Sequence, residues 1–296
     1  MWGLDFFVDA LSLGSLYALI SLGMVIIYGI LRLVNFAYGE LIMIGGYILF
    51  LLGTSGVPWL FVALAAVLGA VLASFLTERV AFRPVREKSI TAMLITSFAV
   101  STLLQNAALL AISPRPRAVR LPQVFSQSLD LGGVIVPARD LILIIATFAL
   151  LGLLTLLLKR SVLGIALRAA AENFTMARIL GVPANLVFSA AFAISGLLAG
   201  VVSLFYVGRL ASVTPSIGLA PLLVAFVATV IGGMRSLTGA VVGGYVYGLL
   251  FTTISLLLPQ RLLDFREAFM FLIVILILLF RPQGLISGST SPERVG

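Results

Sequence analysis

The sequence predicts an all-α polytopic bundle of about nine membrane-spanning helices, with about eight to ten allowed, and three observations predict it. First, 61% of the 296 residues are hydrophobic, and the mean hydropathy is +1.21. Second, only 10% are charged, whereas a soluble domain of this length needs roughly a quarter to cover its surface. Third, the charges fall between long charge-free runs. Each run approaches the roughly 20 apolar residues that carry an α-helix across the hydrocarbon core, where every backbone polar group must be satisfied internally. Residues 1–296 therefore read as a single membrane domain with no room for a soluble enzyme beside it.

Taken in order, residues 10–31 make the first span. Residues 41–77 are long enough for two, broken at the turn formers of 53–58. The fourth span lies within 89–113, the fifth covers 141–158 and the sixth 186–207. Residues 210–234 hold a short seventh, approached through Pro215 and Pro221; 237–258 make the eighth, and 269–280 end a shorter ninth.

Basic residues concentrate in cytoplasmic loops, which sets the orientation. With nine spans and the N-terminus outside, twelve face in: Arg32, Arg79, Arg83, Arg86, Lys88, Lys159, Arg160, Arg168, Arg178, Arg235, Arg281 and Arg294. Seven face out: Arg115, Arg117, Arg120, Arg139, Arg209, Arg261 and Arg266. This assigns residues 114–139 to an external loop, 159–185 to a cytoplasmic loop and 281–296 to a cytoplasmic tail. No basic residue precedes the first apolar stretch, which argues against a cleaved signal peptide and for a retained first span. The pairs Gly196/Gly200, Gly239/Gly243 and Gly244/Gly248 have the spacing that lets helix backbones approach closely, within the chain or at a subunit interface.

What is missing limits the chemistry. With no cysteine there is neither a disulfide framework nor a thiolate metal site. With no histidine the commonest general base and transition-metal ligand is gone. The net charge of +8 is nearly all arginine, since Lys88 and Lys159 are the only lysines; no basic run is long enough to track nucleic-acid phosphates. Neither lysine stands in a Gly-Lys-Ser/Thr phosphate cradle, so the chain does not hydrolyse ATP itself. Ser195 lacks a histidine to activate it, which excludes a serine-protease reading. A proton- or sodium-coupled carrier buries several ionisable groups near the midplane, and these spans hold almost none. The sequence thus predicts no enzyme, no cofactor and no self-powered carrier.

Two places carry information. Glu40 sits between the first two apolar runs, where a carboxylate either caps the second helix, with Asn35 and Gly39 in an interfacial turn, or faces a translocation path with Asn35 and Tyr38. The second place is residues 173–183, which read as a capped two-turn helix. Asn173 suits the N-cap, Gly181 the left-handed position after the helix, and Pro183 stops it. So short a helix is unstable alone. Its apolar residues Phe174, Met176, Ile179 and Leu180 therefore need a surface, either their own membrane helices or a cytoplasmic partner.

Three stretches resemble the permease subunits of branched-chain amino-acid ABC importers, of the LivH/LivM kind. The first is Gly14-Ser15-Leu16-Tyr17-Ala18-Leu19 through Tyr28-Gly29 to Asn35-Phe36-Ala37-Tyr38-Gly39-Glu40. The second is Arg168-Ala169-Ala170-Ala171-Glu172 through Ala177-Arg178 to Leu180-Gly181-Val182. The third joins Gly232-Gly233-Met234-Arg235-Ser236-Leu237-Thr238-Gly239-Ala240 to the ending Phe280-Arg281-Pro282-Gln283-Gly284-Leu285. The family often has histidine where Tyr38 stands, and the loop lacks the full Glu-Ala-Ala…Gly pattern of many ABC permeases.

The resemblance implies a multi-pass protein of the cell (inner) membrane that works with a second permease subunit, two cytoplasmic ATPase subunits and an external solute-binding protein. It implies that residues 173–180 form the ATPase-coupling helix, bracketed by Glu172 and Gly181 and including Arg178. The solute it implies is a branched-chain amino acid. Relatives that carry urea or amides are the nearest alternative, and a self-standing secondary transporter or channel is the alternative from another class.

Overall fold

The computed structural model describes residues 3–86, 88–122, 125, 127–130, 135–234, 236–281 and 284–286. Eleven helices appear among them: α1 (Leu4–Leu31), α2 (Tyr38–Gly53), α3 (Trp59–Thr77), α4 (Ile90–Ala111), α5 (Ala138–Arg160), α6 (Val162–Glu172), α7 (Phe174–Ile179), α8 (Ala184–Leu210), α9 (Leu219–Gly232), α10 (Leu237–Leu257) and α11 (Arg266–Phe280). A single π-turn (Glu78–Phe82) extends α3, and a 3₁₀ segment (Gln260–Phe265) precedes α11. Two antiparallel two-stranded ribbons, β1 (Arg117–Ala118) with β4 (Ser212–Val213) and β2 (Ser128–Asp130) with β3 (Ile135–Pro137), lie in the loops at one end.

The start signals are those of soluble helices. Ser89, Ser161 and Ser236 each accept a backbone N–H three residues on, and Pro58, Pro137 and Pro183 precede α3, α5 and α8. All nine expected spans are present as helices, but they are of two kinds. Six are long and apolar enough to cross a membrane. Helices α2, α9 and α11 have 16, 14 and 15 residues, or about 21–24 Å at 1.5 Å per residue, short of the roughly 30 Å core.

Helix α1 is the axis of the bundle, with 89% of its apolar window buried. It runs antiparallel to α10 at backbone contact: a Cβ added to Gly244 would lie 2.4 Å from Ala18 Cα, and one on Gly248 would lie 2.5 Å from Gly14 Cα. The other glycine pairs also pack within the chain. Gly196 and Gly200 meet α3 at Ser74, Ala70 and Val67, while Gly239 and Gly243 meet α9 at Gly232 and Ala228. At the rim, α4 and α5 are only 22% and 17% buried and turn residues such as Leu103, Leu110, Ile145 and Leu153 outward, as lipid-facing helices do.

Loops gather at two ends. One holds the N-terminus of α1, the 53–58 turn, both ribbons and Gln260–Phe265; the other holds Arg32, Glu78–Phe82, α6, α7, residues 233, 234 and 236, and residues 281 and 284–286 after α11. At the latter end Leu285 and Ile286 donate backbone N–H groups to Ile231 O (2.8 Å) and Gly232 O (3.1 Å), so the tail caps α9. This joins the two halves of the third family stretch; Arg235, Pro282, Gln283 and residues 287–296 of the expected tail lie outside the described residues.

The 159–185 loop needs correcting. Helix α5 continues to Arg160, and 162–172 is a helix of its own rather than a loop, with Gly164, Leu167 and Ala170 buried on one face. A tight corner explains it: Ser161 ends one helix and caps the next, and only a glycine fits at 164, where a Cβ would lie 2.3 Å from Leu157 O.

Candidate functional site: a buried carboxylate and a capped short helix

After α1 ends at Leu31 the chain turns back into the bundle before α2 begins. Arg32 adopts a left-handed conformation with φ 56°. Asn35, buried, folds its Oδ1 onto the N–H of Ala37 at 3.1 Å, and Tyr38 N–H bonds Asn35 O. Tyr38 is fully buried, with its ring over Gly23 of α1. Gly23 lies eight residues before the end of α1, or about 12 Å from it, and Glu40 lies about 20 Å from the far end of α2. The turn expected at the interface therefore lies about 12 Å inside the end of α1, within the bundle. The cause is that 33–37 is apolar apart from Asn35, and Asn35 satisfies the turn from within.

Here the starts of two of the three short helices, α2 and α9, meet. Gly39 in the first turn of α2 and Gly218 at the start of α9 touch through their backbones: a Cβ on Gly39 would lie 2.2 Å from Gly218 O, and one on Gly218 would lie 2.3 Å from Gly39 O. Each helix starts near this level and leaves in the opposite direction, α2 toward the ribbon end and α9 toward the tail.

Of the two roles open to Glu40, the cap is not made: among the described residues no side chain hydrogen-bonds the start of α2, and Asn35 serves the turn instead. The Glu40 carboxylate reaches across to α4, where Oε1 accepts from Ser101 Oγ at 3.0 Å and from Gln105 Nε2 at 2.7 Å. Its residue is 0% exposed, and Oε2 has no hydrogen-bond partner among the described residues. No lysine or arginine of the described residues is ion-paired with it. Magnitudes make this notable. A carboxylate at mid-depth costs about 2.5–3.5 kcal/mol on insertion scales, and the dipole of its own helix returns about 0.3–1 kcal/mol. Two neutral donors on one oxygen leave the other uncompensated. Gln105 also lines a cleft of about 280 Å³ with Asn106, Leu109, Pro114, Pro116, Thr214, Pro215 and Ser216, toward the ribbon end.

Helix α7 keeps its expected caps. Asn173 Oδ1 accepts from Met176 N at 3.0 Å, Gly181 has φ +89°, and Val182 N–H to Ala177 O with Gly181 N–H to Arg178 O complete a Schellman stop. The helix proper is Phe174–Ile179. Its apolar residues divide. Phe174 packs edge-on against Phe188 of α8 (ring centroids 5.1 Å apart), and Ala177 is buried. Met176, Ile179 and Leu180 are 53%, 72% and 78% exposed. Phe174 thus serves its own membrane domain, and the outward apolar surface belongs to the other three. Thr175, Glu172 and Asn173 are exposed beside them. Arg32 holds the end of α6 through Ala171 O and Glu172 O. Arg86 lies over the Phe188 ring at 4.9 Å and also bonds Asn185, which ties the 78–88 segment to the same corner.

Sequence reasoning missed two groups. Ser101 and Gln105 form one, detectable as a polar pair four residues apart on a single face of an apolar span. Asp140 of α5 is another. It is buried, accepts from Ser12 Oγ at 2.9 Å and pairs with Arg209 at 2.6 Å, while Arg209 also donates to Ser12 at 2.7 Å. This triad bolts α1, α5 and α8 together near the ribbon end; its signal was a lone acid at the start of a span facing a lone arginine at the end of another.

Known proteins similar to this chain share its length and its pattern. The profile of a family described as "Branched-chain amino acid transport system / permease component" matches residues 6–280. A high-affinity branched-chain amino acid transport system permease protein of Pseudomonas aeruginosa, BraD, is 34% identical over 97% of this chain and 96% of its own. The corresponding LivH permease protein of Escherichia coli K12 is 33% identical over the same shares. A probable LivH permease protein of the archaeon Methanocaldococcus jannaschii is 28% identical over 93% of this chain and 90% of its own.

Proposed function

Because the chain belongs to the family of branched-chain amino acid transport permeases, we propose that it is the membrane-spanning subunit of an ATP-driven importer for branched-chain amino acids. The observation that carries this reading is the extent of the match, residues 6–280 for the family and 97% of the chain for the bacterial relatives. The chain is a multi-pass membrane protein without a phosphate cradle, so its energy must come from a partner. The assembly in this reading has a second permease subunit, two cytoplasmic ATPases and an external binding protein that delivers the solute.

Within it, α7 is the coupling element. A helix of this length does not hold its shape alone, and here Phe174 and the two caps fix it to α8. The exposed triplet Met176, Ile179 and Leu180 is then presented as a rigid apolar knob at the end that the basic residues assign to the cytoplasm. ATP-driven closure of the ATPases moves this knob, and the movement passes through Phe174–Phe188 to α8. Glu40 is the group at mid-depth on the solute's path; Asn35 and Tyr38 shape the turn that places it.

The test is co-purification. Replacing Ile179 and Leu180 together with serine leaves every intrachain contact named above intact, so the subunit should insert normally. Pull-down of the ATPases and ATP-dependent uptake should both be lost, with solute affinity of the binding protein unchanged. Wild-type pull-down and uptake by this variant would refute the coupling role and move it to residues 78–88.

A further inference from the structure

The geometry points to Glu40 as the acceptor for the ammonium group of the passing solute, which makes the mid-depth site selective for zwitterionic amino acids over neutral solutes such as urea, amides or sugars. This rests on reading the chain as an amino-acid permease. Three observations lead there. The carboxylate is wholly buried, with one oxygen satisfied by Ser101 and Gln105 and the other without a hydrogen-bond partner among the described residues. No arginine or lysine of the described residues pairs with it, although the chain has cations enough at both ends. And Gln105, whose amide holds Oε1, is itself a wall of the cleft with Asn106, Thr214 and Ser216.

A buried anion without a cation is an incomplete pair. Within this family's task the missing cation can come with the cargo. A neutral solute gives no reason to hold a carboxylate at this depth, since an amide or hydroxyl would serve it at lower cost. An amino acid carries an ammonium with three donors. Its approach through the cleft meets the Gln105 amide first, and rotation of that side chain exposes the carboxylate that it covers. Helix α4, which bears both Ser101 and Gln105, is 22% buried and so is lightly held, as a wall that must yield to the solute. The ammonium forms the ion pair while in passage and takes its charge away on leaving. Oε1 then returns to Ser101 and Gln105.

The alternative is that Glu40 only ties α2 to α4. Glu40→Gln separates the two, because a glutamine Oε1 still accepts from Ser101 and Gln105 while the charge is gone. The complete complex, with its ATPases and binding protein, is reconstituted in vesicles, and leucine uptake and binding-protein-stimulated ATP hydrolysis are measured together. Glu40→Gln should assemble and hydrolyse ATP, yet lose uptake by about tenfold or more, while Glu40→Asp keeps a measurable part. Uptake by Glu40→Gln within about twofold of wild type overturns the proposal. Should that variant fail to assemble, the wild-type complex decides. A hydrophobic carbodiimide should modify Glu40, and leucine should protect it during turnover where its deaminated analogue does not; equal protection by both, or by neither, overturns the proposal. A wild-type complex that hydrolyses ATP but carries no amino acid overturns the transport reading, and this inference with it.

Discussion

Gly39→Ala tests the crossing that sets the depth of Glu40. The added Cβ would lie 2.2 Å from Gly218 O and 2.8 Å from Gly218 C, against about 3.4 Å for ordinary contact, so α2 and α9 must part by about 1 Å. Both neighbours are backbone, and neither can swing aside. Overpacking of this kind costs about 1–3 kcal/mol. It opposes the gain that alanine brings in a helix, about 0.5–1 kcal/mol over glycine. The same protein supplies the control: Gly152 of α5 has nothing within 4 Å of its notional Cβ, so Gly152→Ala should collect that gain without penalty. Thermal unfolding of the purified subunit in detergent should rank Gly152→Ala above wild type and Gly39→Ala below it. Uptake by the assembled Gly39→Ala transporter should fall, since Glu40 follows directly on the displaced residue. Equal midpoints for the two variants would refute the backbone contact and the mid-depth placement drawn from it.

Tyr38→Phe should hold or raise stability by about 1 kcal/mol, because the buried hydroxyl has no hydrogen-bond partner among the described residues and its removal relieves an unmet donor; denaturation midpoints check this, and a marked loss would mean the hydroxyl is bonded. Single cysteines at Val162 and Ser128, both exposed in this cysteine-free chain, should react with an impermeant thiol reagent from the cytoplasmic and external sides respectively. Labelling of both from one side would refute the nine-span arrangement.

Most of the spans were legible because charge-free runs are the direct imprint of the bilayer. Residues 53–58 and Pro183 mark their breaks in residue types that only turns favour. The caps of α7 were legible for the same reason: Asn173 and Gly181 act within a few residues of where they stand. What stayed hidden depends on partners distant in sequence. Glu40 is bonded by residues 61 and 65 positions away, and Asp140 by a serine 128 positions before it. Nothing local says whether an acid beside an apolar run stops at the interface or goes below it; the tie between Asn35 and Ala37 and the Gly39–Gly218 contact decide that. Phe174 shows the same limit. Its spacing allowed an outward or an inward face, and only the position of Phe188 selects between them.

The burial of α1 also bears on how the protein is made. This helix emerges from the ribosome first, yet the surfaces that cover it belong mainly to α8, α9 and α10, synthesised late. Until then Ser15 and Ser21 lack Tyr245 and the Ala240 carbonyl that later bond them, and Ser12 waits for Asp140 of α5 and Arg209 of α8. Early α1 must therefore wait, held by the insertion machinery or by makeshift neighbours, for some two hundred residues to follow. Chains truncated before α10 should leave that helix unclaimed and expose it to membrane proteases. Quality control in the cell would then read completion of the chain from whether its first helix has been enclosed.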